Sequence, residues 1–167
     1  MADEIDLGAT EANGFDDSGD APMPQVSILV QYAKDLSFEN PNAPMSLQAG
    51  GQPKIEVNVA VNAKRAGEGV FEAELKITAK ATSEDETTAF MVELVYAGLF
   101  GLANVPDEAL EPFLIIEAPR ILFPFARRII ADATRDGGFP PLMLDPIDFG
   151  SLYMAQQANG GNLVGNA

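Results

Sequence analysis

Apolar and polar residues alternate along four stretches of the chain. Val26, Ile28, Val30 and Tyr32 recur at every second position and run on into LSFE at 36–39. Ile55, Val57, Val59 and Val61 alternate with Glu56, Asn58, Ala60 and Asn62. Phe71, Ala73, Leu75, Ile77, Ala79 and Ala81 alternate with Glu72, Glu74, Lys76, Thr78, Lys80 and Thr82, and Phe90, Val92, Leu94 and Tyr96 close the series. A period of two is that of a strand with one buried face. The second, third and fourth stretches are joined by short turns, KRAGEG and SEDE, which impose antiparallel pairing. Between the first and second lies NPNAPMSLQAGGQP, 40–53, with three prolines and two glycines. It is too long for a hairpin turn and proline has no place in a central strand, so it is expected to be a surface crossover loop. The fourth strand also carries Met91 and Val95 on the face opposite Phe90, Val92 and Leu94, with Glu93 between them. A strand that is apolar on both faces is normally covered on both, which predicts a second molecule over the outer face.

Helical patterns follow. Asp107 and Glu108 after Pro106 read as a first helical turn. Residues 108–135 favour helix but contain Pro112, Pro119 and Pro124. A proline inside a helix removes a hydrogen bond and clashes with the preceding turn. The pattern predicts a short helix, a break near Pro119, and a longer helix through ARRIIADATR ending at Gly137 and Gly138. Asp145 and Pro146 read as the N-cap and first position of a last short helix, with Phe149, Leu152 and Tyr153 on one face. The fold class is α+β: a four-stranded antiparallel sheet with two main helices.

Charge narrows the organisation. The chain has 25 acids against 10 bases, a net charge of −15. Residues 1–33 hold seven acids and no base, residues 136–167 three acids and no base, and the middle all ten bases with fifteen acids. Residues 1–24 are predicted to be a disordered acidic arm and 155–167 a flexible C-terminal tail, leaving 25–154 as one folded domain. The acidic start does not read as a secretory signal, and the longest apolar-plus-Gly run, LVYAGLFGLA at 94–103, is ten residues long. A bilayer span needs roughly 18, so a soluble cytoplasmic chain with no direct membrane insertion is expected.

The 167 residues include no Cys, His or Trp. That excludes disulfides, thiolate nucleophiles, zinc sites built on Cys or His, and Ser-His-Asp or Cys-His catalysis within the chain. There is no GxxxxGK[ST] phosphate loop. SEDE at 83–86 lacks the calcium-loop pattern and reads as an acidic turn. Glu56, Glu72 and Glu74 read as the solvated face of a sheet, so a carboxylate hydrolase finds little support. No catalytic residue, metal or cofactor is expected. The acidic balance argues against nucleic acid and anionic membrane surfaces as partners.

Five segments, in order along the folded unit, carry a family resemblance: YAKDLSFENPNAP (32–44), ETTAFMVEL (86–94), AGLFGL (97–102), APRILFPFAR (118–127) and GGFPPLMLDPIDFGSLYM (137–154). Together they resemble the bacterial protein-export chaperones of the SecB family. The resemblance implies an ATP-independent holdase that binds unfolded preproteins in the cytosol and passes them to the SecA ATPase. It implies a homotetramer, assembled as a dimer of dimers. It implies a client groove to which Leu47, Ile55, Val57, Val59, Phe125 and Tyr153 are matched, and a SecA-binding sheet face to which Asp35, Glu39, Met91 and Glu93 are matched. Asp35 and Glu39, four apart, point to the same side of one strand. An acidic patch of this kind steers a basic partner. Two departures stand out. Gly50 and Gly51 lie where relatives carry a bulky aromatic, and nothing after Asp148 is charged, although some relatives use an acidic tail as a further SecA contact. The alternative reading is a non-enzymatic scaffold or adaptor that holds one folded partner.

Overall fold

The computed structural model describes residues 21–159. Most of the expected acidic arm (1–20) and the end of the expected tail (160–167) lie outside the described residues. Four long strands, β1 (Gln25–Glu39), β2 (Lys54–Gly67), β3 (Val70–Thr82) and β4 (Thr88–Ala103), form one sheet in the order β1-β4-β3-β2, every neighbouring pair antiparallel. The fold class read from the sequence is the one observed. Hairpins join β2 to β3 and β3 to β4, with Gly69 at φ +65° in the first turn. The segment 40–53 crosses from one sheet edge to the other, with a short 3-10 turn at Met45–Leu47.

The inner face of the sheet is the core. Leu75, Ile77, Leu94 and Phe100 are fully buried there under Leu122 and Ile130. A Cβ on Gly98 would stand 3.0 Å from the Phe100 ring and 3.1 Å from Leu122, tighter than ordinary contact, so glycine lets the helix pack close to β4.

The first strand departs from simple alternation. Val26 and Ile28 oppose buried Leu102 and Phe100, but Val30 and Tyr32 oppose Leu99 and Ala97 on the outer face. Irregularities at Ile28/Val30 and Ala33/Asp35 cause this, and the second returns Leu36 and Phe38 to the inner side against Leu94 and Val92. Each bulge adds one residue and so exchanges the faces downstream.

The helical region is continuous where a break near Pro119 was expected. α1 (Asp107–Pro112), a π-helical stretch (Phe113–Glu117) and α2 (Ala118–Asp136) follow one another, with helical backbone at both junctions. The widened turn lies directly before Pro119 and accommodates a ring that would clash in a regular α-turn. Pro124 and Arg120, the residue whose carbonyl Pro124 leaves without its helical donor, both lie on the exposed side of the helix. The last helix, α3 (Phe149–Ala158), begins later than expected and runs four residues past 154. Its N-cap is Asp148 rather than Asp145. The Asp148 carboxylate accepts the Ser151 N–H at 3.0 Å and the Ser151 hydroxyl at 2.7 Å, and the Ser151 backbone bond holds its pKa below the usual carboxylate value. Residues 139–148 stay outside any helix, which sets Leu144 against the core.

Candidate binding surfaces

Three prolines in FPPLMLDPID (139–148) disfavour helix and leave gaps in the backbone donor series. The side chain of Thr134, fully buried near the end of α2, fixes the segment in place. Its hydroxyl donates to the Ile130 carbonyl at 3.0 Å and accepts the Leu142 N–H at 2.9 Å, while the Phe139 N–H bonds to the Thr134 carbonyl at 3.1 Å. The segment therefore lies alongside the inner face of β2, with a groove between them.

Two concavities make up this groove. The first, about 510 Å³, is lined by Leu47, Ile55, Phe90, Phe139 and Met143 and is bordered by Gly50 and Gly51. The second, about 460 Å³, is lined by Val57, Val59, Leu144, Ile147 and Leu152. Leu47, Ile55 and Met143 are exposed. The crossover loop is held at the mouth by Asn40, whose Nδ2 donates to the Gly137 carbonyl at 3.4 Å, and by Asn42, whose Nδ2 donates to the Thr88 carbonyl at 2.9 Å. Gly137 has no room for a side chain, since a Cβ there would fall 2.2 Å from the Phe38 ring. At Gly50 a Cβ would meet nothing within 4 Å, whereas Gly51 has φ +98° and faces the Glu84 carboxylate.

Of the six residues matched to the client groove, the structure brings Leu47, Ile55, Val57 and Val59 together. Phe125 and Tyr153 line neither concavity. Phe125 is exposed on α2 and stacks on Tyr96 with ring centroids 6.3 Å apart. Tyr153 is half-buried on α3 and its hydroxyl accepts from Gln157 Nε2 at 2.6 Å. Met143, Leu144, Ile147 and Leu152 were missed, although three prolines in ten residues already pointed to an extended wall.

On the outer face, strand register collects the second set. Asp35 opposes Val95, Ser37 opposes Glu93 and Glu39 opposes Met91 in consecutive rows. Glu39, Met91 and Glu93 border a shallow depression of about 250 Å³, together with Ser37, Glu56 and Lys80. Asp35 lies one row outside it. This face also carries all five lysines of the chain. Lys76 pairs with Glu93 at 3.1 Å, Lys54 with Glu56 at 3.3 Å, Lys64 with Glu72 at 3.3 Å, and Lys34 with both Glu72, at 3.1 Å, and Glu74. Lys80, Asp35 and Glu39 form no ion pair among the described residues. The patch is thus less uniformly acidic than the sequence suggested. The short hairpin between β3 and β4, which fixes Thr78 opposite Glu93 and Lys80 opposite Met91, was the available signal.

Glu72, expected on a solvated face, is buried. The Tyr32 hydroxyl, Lys34 and Lys64 all reach its carboxylate. The Tyr32 hydrogen bond, opposed by burial, holds Glu72 down at about 2, and burial with the same bond pushes Tyr32 up to about 12. The small side chain of Ala97, opposite Tyr32 on the intervening strand, lets side chains of β1 and β3 meet over β4.

Among the described residues no cluster of three or more carboxylates could hold a metal ion, and no helix is long and apolar enough to cross a membrane.

Sequence comparisons fit this geometry. A family model described as the preprotein translocase subunit SecB matches residues 19–160. The protein-export protein SecB of Rhizorhabdus wittichii is 58% identical over 156 residues, 93% of this chain and 90% of that protein. That of Maricaulis maris is 59% identical over 143 residues, 85% of this chain and 83% of that protein. A solved SecB-like chaperone of Mycobacterium tuberculosis, in complex with a peptide from the HigA1 antitoxin, has the same fold. Its TM-score is 0.61 at 15% identity, over 73% of this chain and 90% of that one. This chain belongs to the SecB family of protein-export chaperones, which are not enzymes.

Proposed function

We propose that this export chaperone, which binds preproteins and delivers them to SecA, does so with two separate surfaces. Unfolded segments lie in the groove between β2 and residues 139–148, and SecA docks on the outer sheet face around Asp35, Glu39, Met91 and Glu93. The observation that carries this reading is the open apolar groove. Ile55, Leu47 and Met143 are 39%, 47% and 57% exposed around buried Phe90, and the groove continues over buried Val59 and Leu144. Contiguous exposed apolar surface of this kind marks a binding site. A groove with flexible Met and aliphatic walls and few fixed polar groups holds many sequences rather than one. Holding needs no ATP, since the driving force is removal of client apolar surface from water.

The homotetramer has two supports. β1 is an edge strand whose outer backbone groups are unpaired along the sheet, and Val26, Ile28, Leu29 and Val30 are 44–55% exposed. A long apolar edge invites pairing with a second copy. A different surface, the outer side of α2 with Phe125 at 44% exposure, offers a second kind of contact. Two distinct self-complementary contacts give a dimer of dimers. Phe125 is then a subunit contact and the groove is left to β2 and the 139–148 wall. The working site is the cytoplasm, where preproteins are still unfolded.

The test is a refolding assay with several unrelated denatured proteins. The chaperone is expected to slow refolding or aggregation of all of them and to ignore their native forms. Binding of one partner only, and in its folded form, would establish the adaptor reading instead.

A further inference from the structure

The outer face is nearly charge-balanced, and its imbalance is positional. Asp35, Glu39, Glu56, Glu72, Glu74 and Glu93 share it with all five lysines. Four of those lysines are engaged with carboxylates of the same face. What remains unpaired among the described residues is a pair of acids on β1, Asp35 and Glu39, and one cation on β3, Lys80. Register places Glu39, Met91 and Lys80 in a single row on three adjacent strands, with Met91 in the middle and 40% exposed. Neighbouring strands lie about 4.8 Å apart, so the free acid and the free cation are separated by about 10 Å at the backbone.

We infer that Lys80 is a specificity-determining residue of this face: it takes an acidic group of the docked partner, beside the basic groups taken by Asp35 and Glu39. The inference rests on the reading of this face as the SecA-docking surface. A partner segment that reaches Met91 necessarily lies between Glu39 and Lys80. If it were basic throughout, its charges would meet the ammonium of Lys80 as well as the carboxylates, and like charges in a contact oppose binding. A segment with a basic and an acidic side chain about 10 Å apart, flanking an apolar group, satisfies all three positions. On a helix that spacing is about seven residues, two turns, which brings both side chains back to one face. Lys80 thereby rejects partners that are merely basic, a discrimination that net charge alone cannot supply.

The experiment measures binding of SecA to the full-length chaperone at two salt concentrations, for wild type, Lys80→Gln, Lys80→Glu and Glu39→Lys. Lys80 is exposed, and a circular-dichroism melt of each variant checks that the fold is kept. Glu39→Lys reports on the docking surface itself and is expected to weaken binding about tenfold. Lys80→Gln is expected to weaken it about threefold and Lys80→Glu about tenfold, with a shallower salt dependence. The sign is decisive, because Lys80→Glu makes the face more acidic. If Glu39→Lys weakens binding while Lys80→Glu tightens it or leaves it unchanged, the role of Lys80 is overturned and the docking surface stands. If Glu39→Lys has no effect, the docking surface is overturned and the role of Lys80 with it.

Discussion

Replacing Thr134 by Val tests how the groove wall is held. Val matches the shape of Thr and removes only the hydroxyl, which in the folded chain accepts the Leu142 N–H at 2.9 Å and donates to the Ile130 carbonyl at 3.0 Å. Thr134 is 0% exposed and Leu142 half-buried, so water cannot simply replace the lost acceptor. A donor left in that condition costs about 1–3 kcal/mol. The Ile130 carbonyl loses less, because it still has its helical partner. The loss falls on the 139–148 segment and therefore on local opening rather than on the whole fold. Amide exchange at Leu142 is expected to accelerate about five- to 150-fold, the kinetic equivalent of that cost. Binding of an unfolded client should weaken in parallel as the wall loosens. Thr134→Ser is the control. It keeps the hydroxyl and loses a buried methyl, so it destabilises by about 1 kcal/mol while Leu142 protection is retained. Unchanged exchange at Leu142 in Thr134→Val, or equal acceleration in both variants, would refute the role given to the hydroxyl.

Two further outcomes follow from other parts of the molecule. Tyr32→Phe removes the hydrogen bond that holds the buried Glu72 carboxylate, at a cost of about 1.5 kcal/mol, the low end for a charged acceptor because Lys34 and Lys64 remain. Glu72 is lowered from an ordinary 4.5 to about 2, so its contribution is present above 4.5 and disappears as pH falls from 4.5 to 2; urea titrations at fixed protomer concentration should show the variant's deficit shrinking over that window. Leu29→Lys places a charge within the exposed apolar strip of β1 and is expected to dissociate the proposed tetramer, which native mass spectrometry reads directly; a tetramer persisting at low micromolar concentration would remove β1 as a subunit contact.

Much of the fold was visible in the alternating pattern because β2, β3 and β4 are joined by tight turns, which leave register little freedom. Those same turns put Glu93 beside Lys76 and Met91 beside Lys80, a consequence not drawn from the sequence. β1 was harder. Its bulges near Leu29 and Lys34 change faces without any glycine or proline to mark them, so Tyr32 was assigned to the apolar set although it faces Glu72. Glu72 itself looked solvated because a strand pattern shows which face a residue takes and not what reaches over it from two strands away. Pro119 suggested a break because proline is judged against a regular α-turn, whereas the π-helical turn before it is set by packing of Leu114 and Ile115 against the sheet. Asp145 and Asp148 are both followed by plausible helix starts; the partner Ser151, three residues beyond Asp148, decides between them. Four of the six groove residues fall on β2 and the loop beside it. Phe125 lines neither concavity; helical periodicity shows that it faces outward and not which partner it meets.

The most direct test of the central claim compares wild type with Val57→Asp in the refolding of two unrelated denatured proteins. Val57 lines the second concavity next to Leu144 and Ile147 and is only half-buried, so a carboxylate there charges the groove without splitting the core. Wild type is expected to retard both clients, and Val57→Asp to release both at close to the spontaneous rate while still binding SecA. Retardation of both clients undiminished by Val57→Asp would contradict the assignment of client binding to this groove.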